Sequence, residues 1–265
     1  HTFFFKDTVM KSKISLKKKN IISIVAIAFF SILNVNAQIN KAAIISIFGN
    51  KNLSDDPMNT LLFEALLKDS SFDISGTVVK FEKIIDEKMI PIFSFPFMNK
   101  NDVVSNPDYK MIKSTLMITD DEKESHHLLN PYVSAEGYKN IAAFGIVNDK
   151  KAIEKCFEIF PDVDAVMIAY INYNLYDAAG AMGLSSKKVY AYCNIKMFNK
   201  FGKRIFKLKE RATSNSGVMG VGGIVVDPKK LKPMVYEASE KLLIDMESKI
   251  EKSVSKMAKK LAKQK

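Results

Sequence analysis

Residues 163–176 read VDAVMIAYINYNLY, and this stretch decides the fold. Its first half is apolar on both sides of an extended chain, with Ala165 and Met167 on one side and Val166 and Ile168 on the other. A strand of this kind needs cover on both faces, whereas a strand at a solvated surface alternates apolar and polar residues. The sequence therefore predicts a strand in the interior of a sheet.

Two more strands follow along the chain. Residues 188–198 (KVYAYCNIKMF) and 203–209 (KRIFKLK) alternate with a period of two, and the connection between them, NKFG, ends at Gly202. Glycine supplies the positive φ that a tight hairpin turn requires. The three strands are therefore expected to form an antiparallel meander.

Outside the meander, residues 42–48 (AAIISIF) predict another buried strand. Helical patterns follow at about 57–66 and at 81–89, and a long amphipathic helix covers roughly 235–261. A helix of about 30 residues spans about 45 Å, which is longer than the strands beneath it. We expect its last two turns to project or to meet another chain.

These elements together predict an α/β (α+β) fold. The expected architecture is a mixed sheet with the three-strand meander in its C-terminal part, covered by helices that include the long C-terminal one. We expect a single domain over residues 38–265, with a proline-interrupted, loop-rich insertion at about 90–137.

The first 37 residues have the pattern of a secretory signal peptide. Several lysines precede the apolar run 21–33, and Val35 and Ala37 fit the small-residue positions of a cleavage site. The apolar run is shorter than the roughly 20 residues that cross a bilayer. We therefore expect residues 1–37 to comprise upstream sequence and a removed signal peptide, and the mature protein to be periplasmic or extracellular after cleavage following Ala37.

Export also changes the charge of the chain. The first 37 residues hold six lysines and one aspartate, so their removal lowers the net charge from +11 to +6. The remaining charges are scattered, apart from a lysine-rich C-terminal end. Nucleic acid is therefore not an expected partner, while contact with a membrane surface stays open.

The chain has two cysteines, Cys156 and Cys193, and both fall on apolar faces. Cys156 lies on a helical stripe, and Cys193 lies on one face of a predicted strand. An exported protein can keep a disulfide. The sequence leaves two alternatives, a pair of buried thiols or one disulfide between helix and sheet.

Two glycine-rich segments, 177–187 (DAAGAMGLSSK) and 214–227 (SNSGVMGVGGIVVD), are predicted as loops. The second segment does not fit a phosphate-binding loop, because its glycine spacing is wrong and no lysine or arginine lies inside the glycine run. Antiparallel connection of the meander places both segments at the same end of the sheet. Their apolar residues are expected either to cap the core or to meet a partner, a ligand or a membrane face. The candidate interaction residues are Met182, Leu184, Val218, Met219, Val221 and Ile224.

No catalytic or metal-binding pattern emerges elsewhere. Ser185 and Lys188 satisfy S-x-x-K by spacing alone, without the companion motifs of serine acylases. His126 and His127 are adjacent and have no third ligand at a helpful spacing. A cluster of Asn and Tyr residues near 172–177 could line a polar pocket. The sequence predicts no catalytic residues, no metal and no cofactor.

The C-terminal half, from residue 137 onward, resembles exported bacterial α/β domains of the type found in the curli-secretion lipoproteins and the N-terminal domain of TolB. The resemblance rests on GYKNIAAF, PDVDAVMIAYI, the hairpin around NKFGKRIF, the glycine-rich segment and the long closing helix. It implies a non-enzymatic envelope protein that assembles with other chains. The chain differs from the lipoproteins because it has no cysteine near the cleavage position.

Two functions follow from these patterns. The first is an exported, non-enzymatic envelope protein that acts in assembly or in protein–protein interaction, through self-association or with another protein. The alternative is a periplasmic carrier or sensor of a small apolar or lipid-like ligand, with the glycine-rich segments at its mouth.

Overall fold

A mixed sheet of seven strands carries the fold, and the strand that begins at Ala165 lies at its centre. The computed structural model describes residues 39–53, 64, 66–113, 131–142, 150–221 and 224–263. Within the unit Gln38–Lys263, helices cover both faces of the sheet. The structure thus confirms the predicted α+β class and the predicted meander.

The strands run in the order β2-β1-β3-β4-β6-β7, and β5 also pairs with β4. Only β1 and β3 are parallel, and the other pairs are antiparallel. The strands are β1 (Ala42–Asn50), β2 (Tyr132–Ser134), β3 (Ala165–Ala181), β4 (Leu184–Asn199), β5 (Arg204–Thr213), β6 (Val218–Val221) and β7 (Ile224–Val225).

The central position of β3 explains its apolar sequence. β1 pairs with it from Ala165 to Asn172 on one side, and β4 pairs with it along its whole length on the other. Met167 packs into one core cluster, whereas Val166 and Ile168 pack into a second cluster on the opposite face. The interior strand predicted over residues 163–176 is therefore confirmed, and it continues five residues further than predicted.

The helices with described bounds are α1 (Ser75–Ile84), α2 (Lys100–Val104), α3 (Pro107–Lys110), α4 (Lys150–Ile159) and α5 (Leu231–Ala262). Residues 64 and 66–68 are also helical, and most of the helix predicted at about 57–66 lies outside the described residues. A π-helical turn, Ile85–Met89, continues α1. Helices α1 and α5 cover one face of the sheet, here called the α5 face, and α4 covers part of the other, here called the α4 face. Ion pairs Lys80–Glu240 and Lys88–Glu247, both at 3.5 Å, link the α1 region to α5.

The long C-terminal helix packs further along the core than predicted. Val254 and Met257, in its last three turns, are buried in the cluster on the α5 face, and Leu261 packs against that cluster. The expectation that the last two turns project is therefore wrong for this face of the helix. The helix ends at Ala262 with exposed lysines on its other side.

The helix predicted at 81–89 begins earlier, at Ser75. The carboxylate of Asp73 accepts hydrogen bonds from both the amide and the hydroxyl of Ser75 at the start of the helix. The first turn contains Gly76 and the β-branched Thr77, which have weak helix propensity. The sequence therefore did not indicate that the helix starts at Ser75. Packing of Val78 and Phe81 into the core outweighs that weak propensity.

The region predicted as a loop-rich insertion is anchored to the sheet by Tyr109. Its hydroxyl donates to the Ile45 carbonyl at 2.7 Å and accepts from the Lys139 amide at 2.9 Å. The register of the pairing between β1 and β3 shifts between Ile44 and Ser46. This shift leaves the Ile45 carbonyl available to the Tyr109 hydroxyl. The region also supplies β2, which pairs with the end of β1; residues 114–130, including His126 and His127, lie outside the described chain.

Both cysteines are buried and free. Cys156 belongs to the cluster on the α4 face and Cys193 to the cluster on the α5 face, so the sheet separates them. The alternative of a disulfide between helix and sheet is therefore wrong, and the two thiols are packing residues. Burial raises the pKa of each thiol to about 12, so both stay protonated and unreactive at neutral pH.

Candidate functional site

The hairpin of β3 and β4 extends well past the rest of the sheet. Pairing of β3 with β1 stops at Asn172, but its pairing with β4 continues to Ala181 opposite Leu184. We call residues 175–187, together with β6 and β7, the β-arm. It contains the whole of the predicted loop 177–187 and, from the predicted loop 214–227, residues 218–221 and 224–225.

The β-arm ends in a two-residue turn at Met182 and Gly183. Both residues have positive φ, 53° and 79°, as a type I′ hairpin turn requires. Gly183 adopts this conformation without strain, whereas Met182 has a side chain that rarely does so. The turn therefore holds a fully exposed methionine at the tip of the arm.

The two segments are neighbours, as predicted, but they are strands and not loops. β6 pairs with β4 so that Leu184 lies opposite Val221 and Lys187 opposite Val218. β6 follows β5 along the same edge of β4, after a break in which Ser214 bonds both the amide and the carbonyl of Val189. The glycines suggested loops, but Gly180 and Gly220 lie within paired strands and Gly183 lies in the turn between β3 and β4. Gly222 and Gly223 lie outside the described residues.

The glycines allow these strands to approach closely. A Cβ atom on Gly180 would lie 2.8 Å from the Leu184 carbonyl oxygen, and one on Gly220 would lie 2.7 Å from the Ser185 hydroxyl. A Cβ on Gly217 would lie 2.6 Å from the hydroxyl of Ser186. The glycine-rich composition therefore has a packing explanation, and no phosphate loop is needed to account for it.

Four apolar residues form an exposed patch on the β-arm. Leu184, Met219 and Val221 are 53%, 61% and 48% exposed, and Met182 at the tip is fully exposed. The strand register places Leu184, Met219 and Val221 on the same face of the sheet. We call these four residues the arm patch.

The other two predicted interaction residues differ from these four. Val218 points to the α5 face and is buried in the core, with 4% of its surface exposed. Ile224 pairs with Val221 in β7, at the outer edge of the arm. The expected capping of the core therefore holds for one side of β6, at Val218, while the other side, at Met219 and Val221, is exposed.

An ion pair between a buried lysine and an exposed aspartate supports the arm on the α5 face. The ammonium of Lys187 lies 3.0 Å from the carboxylate of Asp177 on the opposing strand, and the Lys187 side chain is buried. A hydrogen bond from Ser185, together with Lys187, lowers the pKa of Asp177. The carboxylate therefore stays ionised at neutral pH, and its ion pair with Lys187 helps to hold β3 and β4 together.

Next to the arm patch lies an open groove of about 400 Å³. Its lining consists of Ala179, Gly180, Leu184, Ser185, Gly217 and Met219, with Ser186 and Val218 beside them. These side chains offer hydroxyl groups and apolar surface but no charged group. The groove can hold an extended segment or a small ligand, and its only reactive lining groups are the hydroxyls of Ser185 and Ser186.

The chemical candidates from the sequence do not form a reactive site. Ser185 and Lys188 are three residues apart on one strand, so their side chains leave opposite faces. Among residues 39–53, 64, 66–113, 131–142, 150–221 and 224–263, no group of three metal-ligating side chains comes together. None of the helices in this part of the chain is long and apolar enough to cross a membrane.

The Asn and Tyr residues predicted to line a polar pocket form an ordered ladder instead. On the α4 face, the amides of Asn172, Asn174 and Asn194 donate across the strands to the hydroxyls of Tyr192, Tyr190 and Tyr170 at 2.9–3.0 Å. Tyr176 packs edge-on against Tyr190, with ring centroids 6.0 Å apart. Tyr173 lies in the core on the other face, so it is not part of this ladder.

Comparison with known proteins gives only weak resemblances. No protein-family model matches the chain, and no curated protein matches it. Among solved structures, a hypothetical protein from Chlamydia trachomatis is similar with 9% identity and a TM-score of 0.34 over 82% of this chain and 98% of that one.

Two further solved structures resemble the chain to a similar degree. A putative neuraminyllactose-binding hemagglutinin homolog from Helicobacter pylori has 8% identity and a TM-score of 0.35, over 88% of this chain and 94% of that one. A lipoprotein from Neisseria meningitidis has 11% identity and a TM-score of 0.24, over 78% and 99%. These neighbours are bacterial proteins of hypothetical or lipoprotein type, and the likeness is too weak to transfer a function.

Proposed function

We propose that this is an exported, non-enzymatic envelope protein that acts in assembly or protein–protein interaction, and that it binds its partner through the β-arm. The observation that carries the proposal is the arm patch. Its four large apolar side chains are exposed together at the end of a structured hairpin, and such clusters are characteristic of interaction surfaces.

The backbone of the arm supports the same proposal. In the described part of the chain, residues 175–181 of β3 pair with β4 alone, so their other edge is available to an added strand. Edges of this kind are usually protected by lysine, by proline or by a bulge. The arm has one such device, a register shift next to Ala178, and residues 175–181 include one aspartate but no lysine or proline.

A partner that adds a strand to this edge would gain backbone hydrogen bonds from the arm and apolar contacts from the arm patch. A second copy of the protein satisfies both requirements, because it carries the same edge and the same patch. Self-association is therefore the first form of assembly to test.

The test replaces Leu184 and Met219 with aspartate in one protein. Both side chains are about half exposed, so the charges stay solvated in the free protein but would be buried in an interface. We expect the wild-type protein to form oligomers in size-exclusion chromatography with light scattering, and the double variant to be monomeric with an unchanged melting temperature.

A matched control replaces Met111 and Phe201 with aspartate, since both are exposed apolar residues away from the β-arm. This control should associate as the wild type does. A wild-type protein that is monomeric at every concentration and carries a co-purified lipid would favour the alternative function, a carrier of an apolar ligand. Loss of stability in the arm variant without loss of association would contradict the proposal.

A further inference from the structure

The turn between β4 and β5 exposes an aromatic ring among cations. Phe201 lies in this turn with 66% of its surface exposed, which makes it the most exposed aromatic side chain among the described residues. Its neighbours in the turn are Lys200, Lys203 and Arg204. A single exposed apolar residue needs no explanation by itself, so the charges around the ring are what distinguish it. We call residues 200–204 the basic turn.

Hydrogen bonds hold the basic turn in a fixed conformation. The side-chain oxygen of Asn199 accepts from the amide of Phe201 at 3.2 Å and from the amide of Lys203 at 2.9 Å. Both the amide and the ammonium of Lys200 bond to Asp164, just before β3, at 3.3 Å. The ring of Phe201 is therefore exposed by a structured turn that is fixed to the sheet.

The C-terminal end of α5 lies at the same end of the sheet as the basic turn. The helix runs antiparallel to β5, because Lys241 donates to the carbonyl of Thr213 at 3.2 Å, while Lys249, later in the helix, pairs with Glu210, earlier in the strand. From Lys249 the helix continues about 16 Å toward its C-terminal lysines. From Glu210 back to its first residue, β5 covers about 20 Å. Both elements thus reach the same end.

Positive charge accumulates at this end. We call the cations of the basic turn and of the last turns of α5 the basic end: Lys200, Lys203, Arg204, Lys256, Lys259 and Lys260. The chain has no acidic residue after Glu251. The acids just before β3, Asp162 and Asp164, are paired with Lys41 and Lys200. In the described part of the chain, the other five cations of the basic end pair with no carboxylate.

Further cations continue from the basic end along β5. Lys207, Lys209 and Arg211 are exposed at alternate positions on the α4 face. Within the described chain β5 pairs with β4 alone, and lysines on such a strand protect its free edge. Edge protection does not account for the exposed ring of Phe201 or for the lysines at the end of α5.

We propose that the basic end docks on the surface of an anionic lipid bilayer, with the ring of Phe201 between the headgroups and the acyl chains. Lys203 and Arg204 would contact lipid phosphates beside the ring, and the α5 lysines would add attraction. The apolar stems of lysine and arginine can lie along the lipid while their charged groups reach the phosphates.

The position of Phe201 favours a bilayer over an acidic protein. The ring stands in a turn with cations on both sides of it. A protein partner would need an apolar pocket with acids around its rim at this one place. A bilayer offers an apolar layer beneath an anionic layer at every point of its surface.

The basic end is far from the arm patch. β4 begins at Leu184 in the β-arm and ends at Asn199 beside the basic turn, a distance of about 50 Å along the strand. A molecule docked by its basic end would therefore hold the β-arm away from the membrane, where a protein partner can reach it. The docking does not depend on the function proposed for the β-arm, and the two are tested separately.

The first test is co-sedimentation of the full-length exported protein with vesicles. One set is phosphatidylcholine with a third of phosphatidylglycerol, and the other is phosphatidylcholine alone. We expect binding to the anionic vesicles only. Binding should fall when the salt is raised from about 0.1 M to about 1 M, because the screening length shortens from about 10 Å to about 3 Å.

Two pairs of charge substitutions locate the contact. Lys203→Gln with Arg204→Gln should weaken the partition onto anionic vesicles about 25-fold, since each cation near the surface contributes a factor of about five. The matched control is Lys229→Gln with Lys230→Gln, at exposed lysines that precede α5 at its other end. The control removes the same charge and should weaken the partition less than twofold.

The second test follows the ring itself. The chain has no tryptophan, so Phe201→Trp introduces a single fluorophore at an exposed position. With anionic vesicles its emission should shift to shorter wavelength, and brominated lipids should quench it. Met219→Trp, in the arm patch, is the control and should show neither change.

Four results would overturn the inference. The first is no binding to the anionic vesicles, and the second is an equal loss in the Lys229 and Lys230 control, which would indicate attraction by net charge alone. The third is vesicle binding without a spectral shift in the Phe201→Trp variant. The fourth is binding to polyglutamate but not to vesicles, which would indicate an acidic protein partner.

Discussion

Adjacent residues of β6 have opposite environments, and this contrast defines the candidate site. Val218 is buried against the core on the α5 face, while Met219 is exposed on the other face. The sequence placed both in one list of interaction residues, because a segment treated as a loop has no alternating faces. Once the segment is a strand, the period of two separates them.

This contrast gives a prediction for two neighbouring variants. Val218→Asp would place an unpaired charge in the core and should lower the free energy of unfolding by about 3–5 kcal/mol. Met219→Asp should change it by less than about 0.5 kcal/mol, since the new charge is solvated. Denaturant unfolding of the two variants measures both effects, and equal losses would show that β6 does not have the described register.

Asp86, in the π-helical turn after α1, gives a prediction on pH. Although the residue is at the surface, partial desolvation of its carboxylate, with a further contribution from Glu82, raises its pKa to about 6. The folded protein therefore holds this proton more tightly than the unfolded chain does. The stability contributed by the protonated form is present at pH 4 and is lost as the pH rises through 6.

Asp86→Asn removes the unfavourable charge. The variant should therefore melt at a higher temperature than the wild type at pH 7.5, and the difference should shrink as the pH falls to 4. A constant difference between pH 4 and 7.5 for Asp86→Asn would contradict the assignment.

At the scale of elements, the β-arm depends on close approach between its strands. A methyl group on Gly180 would meet the backbone carbonyl of Leu184, which cannot move without disturbing the hairpin. By contrast, a methyl group on Gly76, in the first turn of α1, would meet no atom within 4 Å. The same substitution should therefore have opposite effects at these two sites.

We predict that Gly180→Ala loosens the β-arm without unfolding the protein. Amide hydrogen exchange in residues 177–187 should become faster, and exchange in β1 should stay unchanged. Gly76→Ala should instead raise the stability by about 0.5 kcal/mol, because alanine restricts the unfolded chain and favours the helix. Normal protection of the arm in Gly180→Ala would mean that the strands are not as close as described.

The elements with strong periodicity could be predicted, and those stabilised by tertiary contacts could not. The burial of β1 and β3 follows directly from their apolar runs, and the burial of one side of α5 follows from its apolar stripe. The arm strands could not be predicted because small residues such as Gly180 have little strand propensity, and their pairing depends on β4 across the sheet. The start of α1 was concealed for a similar reason, since Gly76 and Thr77 are weak helix formers.

At the scale of the whole molecule, the two surfaces have different chemistry. The arm patch is apolar and lies at the end of a hairpin, whereas Arg204, Lys207, Lys209 and Arg211 are exposed cations that lie on β5 nearer the core. The sequence located the first surface, because both glycine-rich segments contained exposed apolar residues. It missed the second, because Lys207, Lys209 and Arg211 share a face with the tyrosines only after β4 and β5 pair.

The central claim is that the β-arm contacts a protein partner, and site-specific photocrosslinking in the producing cell tests it most directly. A benzophenone-bearing amino acid replaces Met219 in one protein and Met111, a still more exposed methionine outside the arm, in another. We predict that position 219 forms a discrete crosslinked product with a second copy of this protein or with another protein, and that position 111 does not. Adducts with lipid alone, no adduct at position 219, or the same products from both positions would contradict the claim.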